Sequence, residues 1–208
     1  MKKNTETKAY TFLEIAINGN IKEALLEKGK ISLMKLSSIN EPTIRIKFID
    51  AALMNFKKAM HLGSDEAKAE YGKLLFDSSK KHTDKMAAFK LLQEAAENEN
   101  YYAQYYLVSM LFDNAIQIDG LREKTRNELA NKYFHSAVST FNELISHAHN
   151  HEKVVYTLLL GHIYTSFANH KKEIKESYLK KARYYYGLAQ KLGAAEADKY
   201  LAWLTALH

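Results

Sequence analysis

The chain predicts an all-α fold, a solenoid built from antiparallel helix pairs, on three observations. Apolar residues recur every three or four positions along almost all of the 208 residues, which is the period of a helix with one buried face. One proline and eight glycines leave few breaks, and runs of β-branched residues are scarce. Two distant stretches, "AMHLGSDEA" at 59–67 and "AQKLGAAEA" at 189–197, spell Ala, Leu-Gly and Glu-Ala at identical spacing.

Taken in order, the pattern places helices near 5–18, 20–37, 41–61, 65–78, 84–98, 101–115, 122–145, 151–169, 172–191 and 194–206. In "INEPT", Asn40 is the expected cap and Pro42 falls in the first turn, where its missing N–H costs nothing. Gly63 and Gly193 each follow a helix, where a left-handed closing residue suits glycine. Ser64 or Asp65 can cap the next helix, and Thr83 another, in "HTDKMAAF". No long linker separates two domains. Residues 1–40 read as an N-terminal helical cap or a degenerate repeat, and 41–208 as one continuous repeat region.

The repeat has a register. Ala52, Phe56 and Ala59 stand at i, i+4 and i+7, on one helix face. Ala67, Tyr71 and Gly72 stripe the next helix. The same order returns as Ala88, Leu92, Ala95, Ala103 and Leu107, and again as Ala182, Tyr186, Ala189, Ala197 and Leu201. A looser copy lies between, with Ala130, Phe134 and Ala137, then Leu160-Gly161 and Tyr164. It carries about 11 extra residues, read as a lengthened helix plus the loop "SHAHNHEK", in which Asn150 is the expected cap. The cause is close packing: helix axes approach to about 8 Å only where small residues face the crossing. A single pair cannot bury its apolar faces alone, so pairs stack.

These residues resemble the Sel-one-like repeat family, a branch of the tetratricopeptide-like superfamily. "KARYYYGLAQKLGAAEA", "AQYYLVSMLFD" and "LGHIY" look much like its repeat, which runs Ala, an aromatic four residues on, Ala-Ala and Gly, then Ala, Leu-Gly and an aromatic. The resemblance covers about 50–208. Departures are Glu99 for a helix-ending glycine, Val108 for a second-helix glycine, and the stretched third copy. The resemblance implies a right-handed solenoid and a binding scaffold: an adaptor, regulator or toxin-immunity type binding protein of bacterial cytosol. In the superfamily the first helix of each pair lines a concave face. With Gly72, Val108 and Gly161 as equivalent anchors, the residues expected to look inward are Glu66, Lys73, Tyr102, Tyr105, Ser109, Asp113 and His162.

Composition narrows the function classes. The net charge is +6, unevenly spread: residues 1–62 carry +5, 63–120 carry −4 and 121–208 carry +5. A nucleic-acid binder more often has one continuous basic stripe, so a protein or peptide partner is the first expectation. A nucleic-acid-binding regulator using the basic ends is the alternative. The basic run 171–183 supplies its candidate patch, Lys171, Lys172, Lys175 and Lys180, with Glu176 four residues from Lys172 and Lys180 and able to pair with either. No cysteine is present, so thiolate chemistry is excluded. Glu14 interrupts the only apolar stretch near the N-terminus, and no run reaches the ~18 apolar residues of a membrane span; the expectation is a cytoplasmic monomer. His147, His149 and His151 alternate, but Asn150 divides the run, and the glutamate of a zinc-hydrolase helix is missing. No phosphate loop and no nucleophile turn is visible, so the chain is read as a non-enzyme without metal or cofactor. Of the tyrosines, Tyr186 and Tyr185 are assigned to the core, and Tyr102 and Tyr105 to the opposite face of their helix.

Overall fold

The computed structural model describes residues 11, 13–19, 21–112, 123–170 and 175–206. Among them there are helices and turns and no strand. The helices are α1 (Lys22–Met34), extended by a turn of 3-10 helix (Lys35–Ser38), α2 (Pro42–His61), α3 (Asp65–Ser78), α4 (His82–Glu97), α5 (Tyr101–Phe112), α6 (Glu123–His147), α7 (Asn150–His170), α8 (Lys175–Lys191) and α9 (Ala197–Thr205). Two compact units divide the chain, Met1–Ala103 and Gln104–His208, and the division falls inside α5. Within the first unit α1 packs on α2, α2 on α3 and α3 on α4; within the second α6 packs on α7, α7 on α8 and α8 on α9.

The register read from the sequence is largely the register of the core, although Tyr71 and Leu201, which belong to it, are only half-buried. Ala52, Phe56, Ala59, Ala67, Ala88, Leu92, Ala95, Ala103, Leu107, Ala130, Ala137, Ala182, Tyr186, Ala189 and Ala197 are all wholly buried. Each small residue lets a neighbouring helix approach, and each large one fills the groove beside it. Three helix glycines receive large residues from the following helix. A Cβ on Gly29 of α1 would overlap the Phe56 ring of α2. A Cβ on Gly72 of α3 would lie 3.1 Å from both the Ala88 carbonyl oxygen and Leu92 Cγ of α4. A Cβ on Gly161 of α7 would lie 2.5 Å from Cε1 of Tyr186 in α8.

Helix ends repeat as faithfully. Gly63 (φ 83°), Glu99 (φ 61°) and Gly193 (φ 96°) are all left-handed. In each case the next residue donates back across the last turn: Ser64 to Ala59, Asn100 to Ala95 and Ala194 to Ala189, at 3.0–3.1 Å. The closing residues donate to Met60, Ala96 and Gln190. This double bond is a Schellman ending, which satisfies carbonyls the helix leaves open. Glu99 therefore adopts the glycine conformation without being glycine. Ser64 and Asn100 serve a second time as N-caps, accepting from the amides of Ala67 (3.2 Å) and Ala103 (2.9 Å).

Several local expectations are corrected. Asn40 does not cap α2: Glu41 takes the N-cap position with Pro42 as the first helical residue, and Arg45 ties the preceding turn by donating to Ile39 O at 2.9 Å. Thr83 lies inside α4, which starts one residue earlier behind Lys81; Ser79 organises this entry, donating to Asp84 at 2.6 Å and accepting from the Lys81 amide at 3.1 Å. The loop expected at "SHAHNHEK" shrinks to Ala148 and His149, because α6 continues to His147 and α7 begins at Asn150. The His149 carbonyl takes the first amides of α7, and its own N–H donates to Glu152 at 3.1 Å. Glu152 thus fills the reciprocal half of a capping box, and His149, not Asn150, is the cap.

Candidate interaction surface

Each residue of the expected concave set can be followed to its place. In the first unit, Glu66 of α3 receives Lys30 of α1 at 2.7 Å, and Lys30 also reaches Glu27 at 3.1 Å. Burial pulls the Lys30 ammonium pKa down, but the two carboxylates outweigh it and hold it above its ordinary value. Lys73 pairs with Asp77 one turn on, at 2.6 Å, so Glu66 and Lys73 both spend their charge on neighbours. Tyr102 is half-buried against Tyr101, ring centres 4.3 Å apart. In the second unit, Ser109 is half-buried on α5. Asp113 lies outside the described residues.

His162 and Thr165 gather around one buried hydroxyl, and Tyr105 is half-buried on α5 of the same unit. The Tyr186 oxygen of α8 lies 2.8 Å from His162 Nδ1 and 3.2 Å from Thr165 Oγ1, both on α7. Thr165 gives its hydrogen to the Gly161 carbonyl at 2.9 Å. Its oxygen therefore accepts from Tyr186, and Tyr186 accepts from His162 Nδ1–H, which fixes the neutral tautomer. Burial drives the Tyr186 pKa well up, and Tyr200 and Tyr105 add to it. Tyr200 of α9 stacks on Tyr186 (5.1 Å, 19°) and meets the His162 ring edge-on at 4.4 Å. Burial also lowers the His162 pKa, with Glu196 pulling the other way. His162 is half-buried, so the cluster opens at its rim.

A second aromatic layer lies farther along α7 and α8. Tyr164 stacks on Tyr185 (5.5 Å, 8°), and burial, with Tyr185 and Tyr178 beside it, pushes its hydroxyl pKa up to about 12. Lys181 Nζ sits 5.4 Å from the Tyr164 ring centre and 5.7 Å from that of Tyr178, a cation over two π faces. Tyr185 departs from its expected core role: it is half-buried and donates to Asn142 of α6 at 2.9 Å. Its hydroxyl finds that polar partner near the surface. Tyr184, assigned no role by spacing, is 66% exposed. Sequence signal for it existed: the core stripe of α8 runs through 179, 182, 186 and 189, and residue 184 stands diametrically opposite.

The basic patch is only partly in view. Lys171 and Lys172 lie outside the described residues; Lys175 is half-buried and Lys180 exposed. Glu176 pairs with Arg183, two turns along α8, at 2.8 Å. The histidine run brings His149 and His151 into parallel stacking at 6.3 Å, and the described residues contain no group of three or more His, Cys, Asp or Glu that could hold a metal ion. No described helix is long and apolar enough to cross a membrane. Compared with known proteins, the chain matches no protein-family model and no curated protein.

Proposed function

We propose that the chain is a non-catalytic protein-binding scaffold: a right-handed, tetratricopeptide-like solenoid with Sel-one-like repeats, working in bacterial cytosol as an adaptor, regulator or toxin-immunity type partner. One observation carries this reading. His162, expected on the concave face, meets the Tyr186 hydroxyl with its own ring half-buried, and Tyr105, expected on the same face, is half-buried on α5. Aromatic rims with a few hydrogen-bonding groups and both signs of charge are the composition of protein interfaces. The repeat resemblance supports it independently.

The test is capture of the native partner on the full chain, followed by affinity measurement. Changing Tyr102 and Tyr105 together to alanine leaves helicity nearly intact and weakens partner binding by about 2 kcal/mol or more, as hot-spot aromatics do. Binding that survives this change but disappears when Lys172, Lys175 and Lys180 become glutamate moves the contact to the basic run. Affinity for nucleic acid that falls steeply with salt, with no protein partner captured, replaces the proposal with a nucleic-acid-binding one.

A further inference from the structure

The outward face of α8 carries a glycine for which packing supplies no reason. Within a helix glycine is less favourable than alanine because it gives up more backbone freedom on folding. Gly29, Gly72 and Gly161 repay that cost by admitting a neighbour's side chain. A Cβ on Gly187 would meet nothing within 4 Å. Gly187 lies on the stripe Ser177, Lys180, Tyr184, Gly187 and Lys191, stepped by three and four and opposite the buried stripe. Tyr184 stands on this stripe 66% exposed. Its ring is held edge-on by Tyr185 (5.1 Å, 81°), itself anchored on Asn142 and Tyr164. The aromatic is thus presented on a fixed backing, at little entropic cost to a ligand.

The charge of the face is one-sided. Between Lys175 and Lys191, α8 has five basic residues and one acidic residue, and that one, Glu176, is engaged by Arg183. Lys180 and Lys191 are exposed, and no ion pair within the described residues holds either of them. They bracket Tyr184 and Gly187. Eleven residues of helix rise about 16 Å, which an extended segment of about five residues spans.

From this we infer that the outward face of α8 is a second recognition surface, separate from the cluster around Tyr186, for a short acidic segment of a partner protein. Carboxylates at the two ends of the segment meet Lys180 and Lys191. An apolar side chain between them packs on Tyr184, and the segment's backbone lies over the bare helix at Gly187. The inference rests on the reading of the chain as a protein-binding scaffold.

The experiment selects peptides from a random phage-displayed library of about twelve residues on the full-length chain. The selected peptide is then titrated by fluorescence anisotropy against the wild type and against Tyr184→Ala, Gly187→Gln and the pair Lys180→Glu with Lys191→Glu. The expected consensus is an apolar residue flanked by acidic ones, and each variant weakens its binding at least tenfold. Gly187→Ala is the folding control: it melts about 1–4 °C higher, while circular dichroism shows the other variants as helical as the wild type. Selection of non-acidic peptides, or binding unchanged in these variants, overturns the proposal. Peptide binding lost with Tyr105→Ala and kept with Tyr184→Ala overturns this face alone and leaves the scaffold reading standing. Displacement of the peptide by a tighter-binding oligothymidylate overturns it in favour of nucleic acid. Self-association in sedimentation that the two lysine reversals abolish makes the occupant a second copy of the chain, which also overturns it.

Discussion

Gly161 and Gly187 sit on the facing helices α7 and α8, and the same substitution acts on them with opposite sign. A methyl group on Gly161 arrives 2.5 Å from Cε1, 2.6 Å from Cδ1 and 3.0 Å from Cζ of Tyr186, far inside van der Waals contact of about 3.5–4 Å. Tyr186 is wholly buried, and moving its ring stretches the bonds to His162 and Thr165. Overpacking of this kind costs about 1–3 kcal/mol; the better helix propensity of alanine returns about 0.5–1 kcal/mol. Gly161→Ala is therefore destabilising by up to about 2.5 kcal/mol net. At Gly187 the methyl group meets nothing, so only the propensity gain remains and the variant is more stable by about 0.5–1 kcal/mol. Urea denaturation followed by circular dichroism measures both. Shortening the ring with Tyr186→Leu in the Gly161→Ala background should cost less than it does in the wild type, because it removes the clash. Equal shifts for the two glycines, or strict additivity in the double variant, would refute the assignment of Gly161 as the seat of the Tyr186 ring.

Glu99→Gly should stabilise by about 0.5–1 kcal/mol, since it relieves a left-handed side chain; a loss of stability in urea melts would show that the Glu99 side chain matters more than its backbone. Gly72→Leu drives a side chain into Leu92 and the Ala88 carbonyl and should cost about 1–3 kcal/mol, whereas Lys73→Leu, one position on, should cost well under 1 kcal/mol; equal melting temperatures would put the repeat register in error. The lowered His162 pKa means the folded chain binds fewer protons than the unfolded chain just below pH 6.5. That contribution is complete above the unfolded value and is lost as the pH falls from there through the folded one. His162→Asn should flatten the difference in stability between pH 7.5 and pH 5 relative to the wild type; an unchanged slope would place the titration elsewhere.

The parts of the fold legible in the sequence are those set by side-chain volume at fixed spacing. Ala52, Phe56 and Ala59, and their counterparts two and three copies on, declare a buried face because nothing else needs that alternation of small and large. The glycine at Leu62-Gly63 declares a helix end because its backbone is the one that closes a helix cheaply. Where the backbone decides and the side chain does not, only register speaks: Glu99 closes α4 as Gly63 closes α2, at the place the repeat marks for a glycine, though glutamate itself gives no hint of a positive φ. The histidine run misled for a related reason. Polar residues read as a loop, but helix continuity is set by backbone bonding, and Glu152 reaching back to the His149 N–H secures α7 at once. Of the candidate surface, the placing of Tyr105 and His162 on one face is an expectation of register and resemblance, whereas the bonding of His162 to Tyr186 depends on which turn of α7 faces α8. Tyr184 was hidden in a run of three tyrosines, separable only once the buried stripe of α8 is drawn.

Ser64 and Asn100 each belong to two helices at once, finishing one with the backbone N–H and starting the next with the side chain. Corners of this kind have no slack. An added residue at either one displaces the closing amide from the capping oxygen, so both helices lose an end together and fray as a unit. The junction at Ala148 and His149 has no left-handed closing residue among its bonds, and its helices are the two longest described, at 25 and 21 residues. A peptide or fluorescent-protein tag inserted between Ala148 and His149 should leave the helical circular dichroism intact, and the same insertion after Gly63 should lower it.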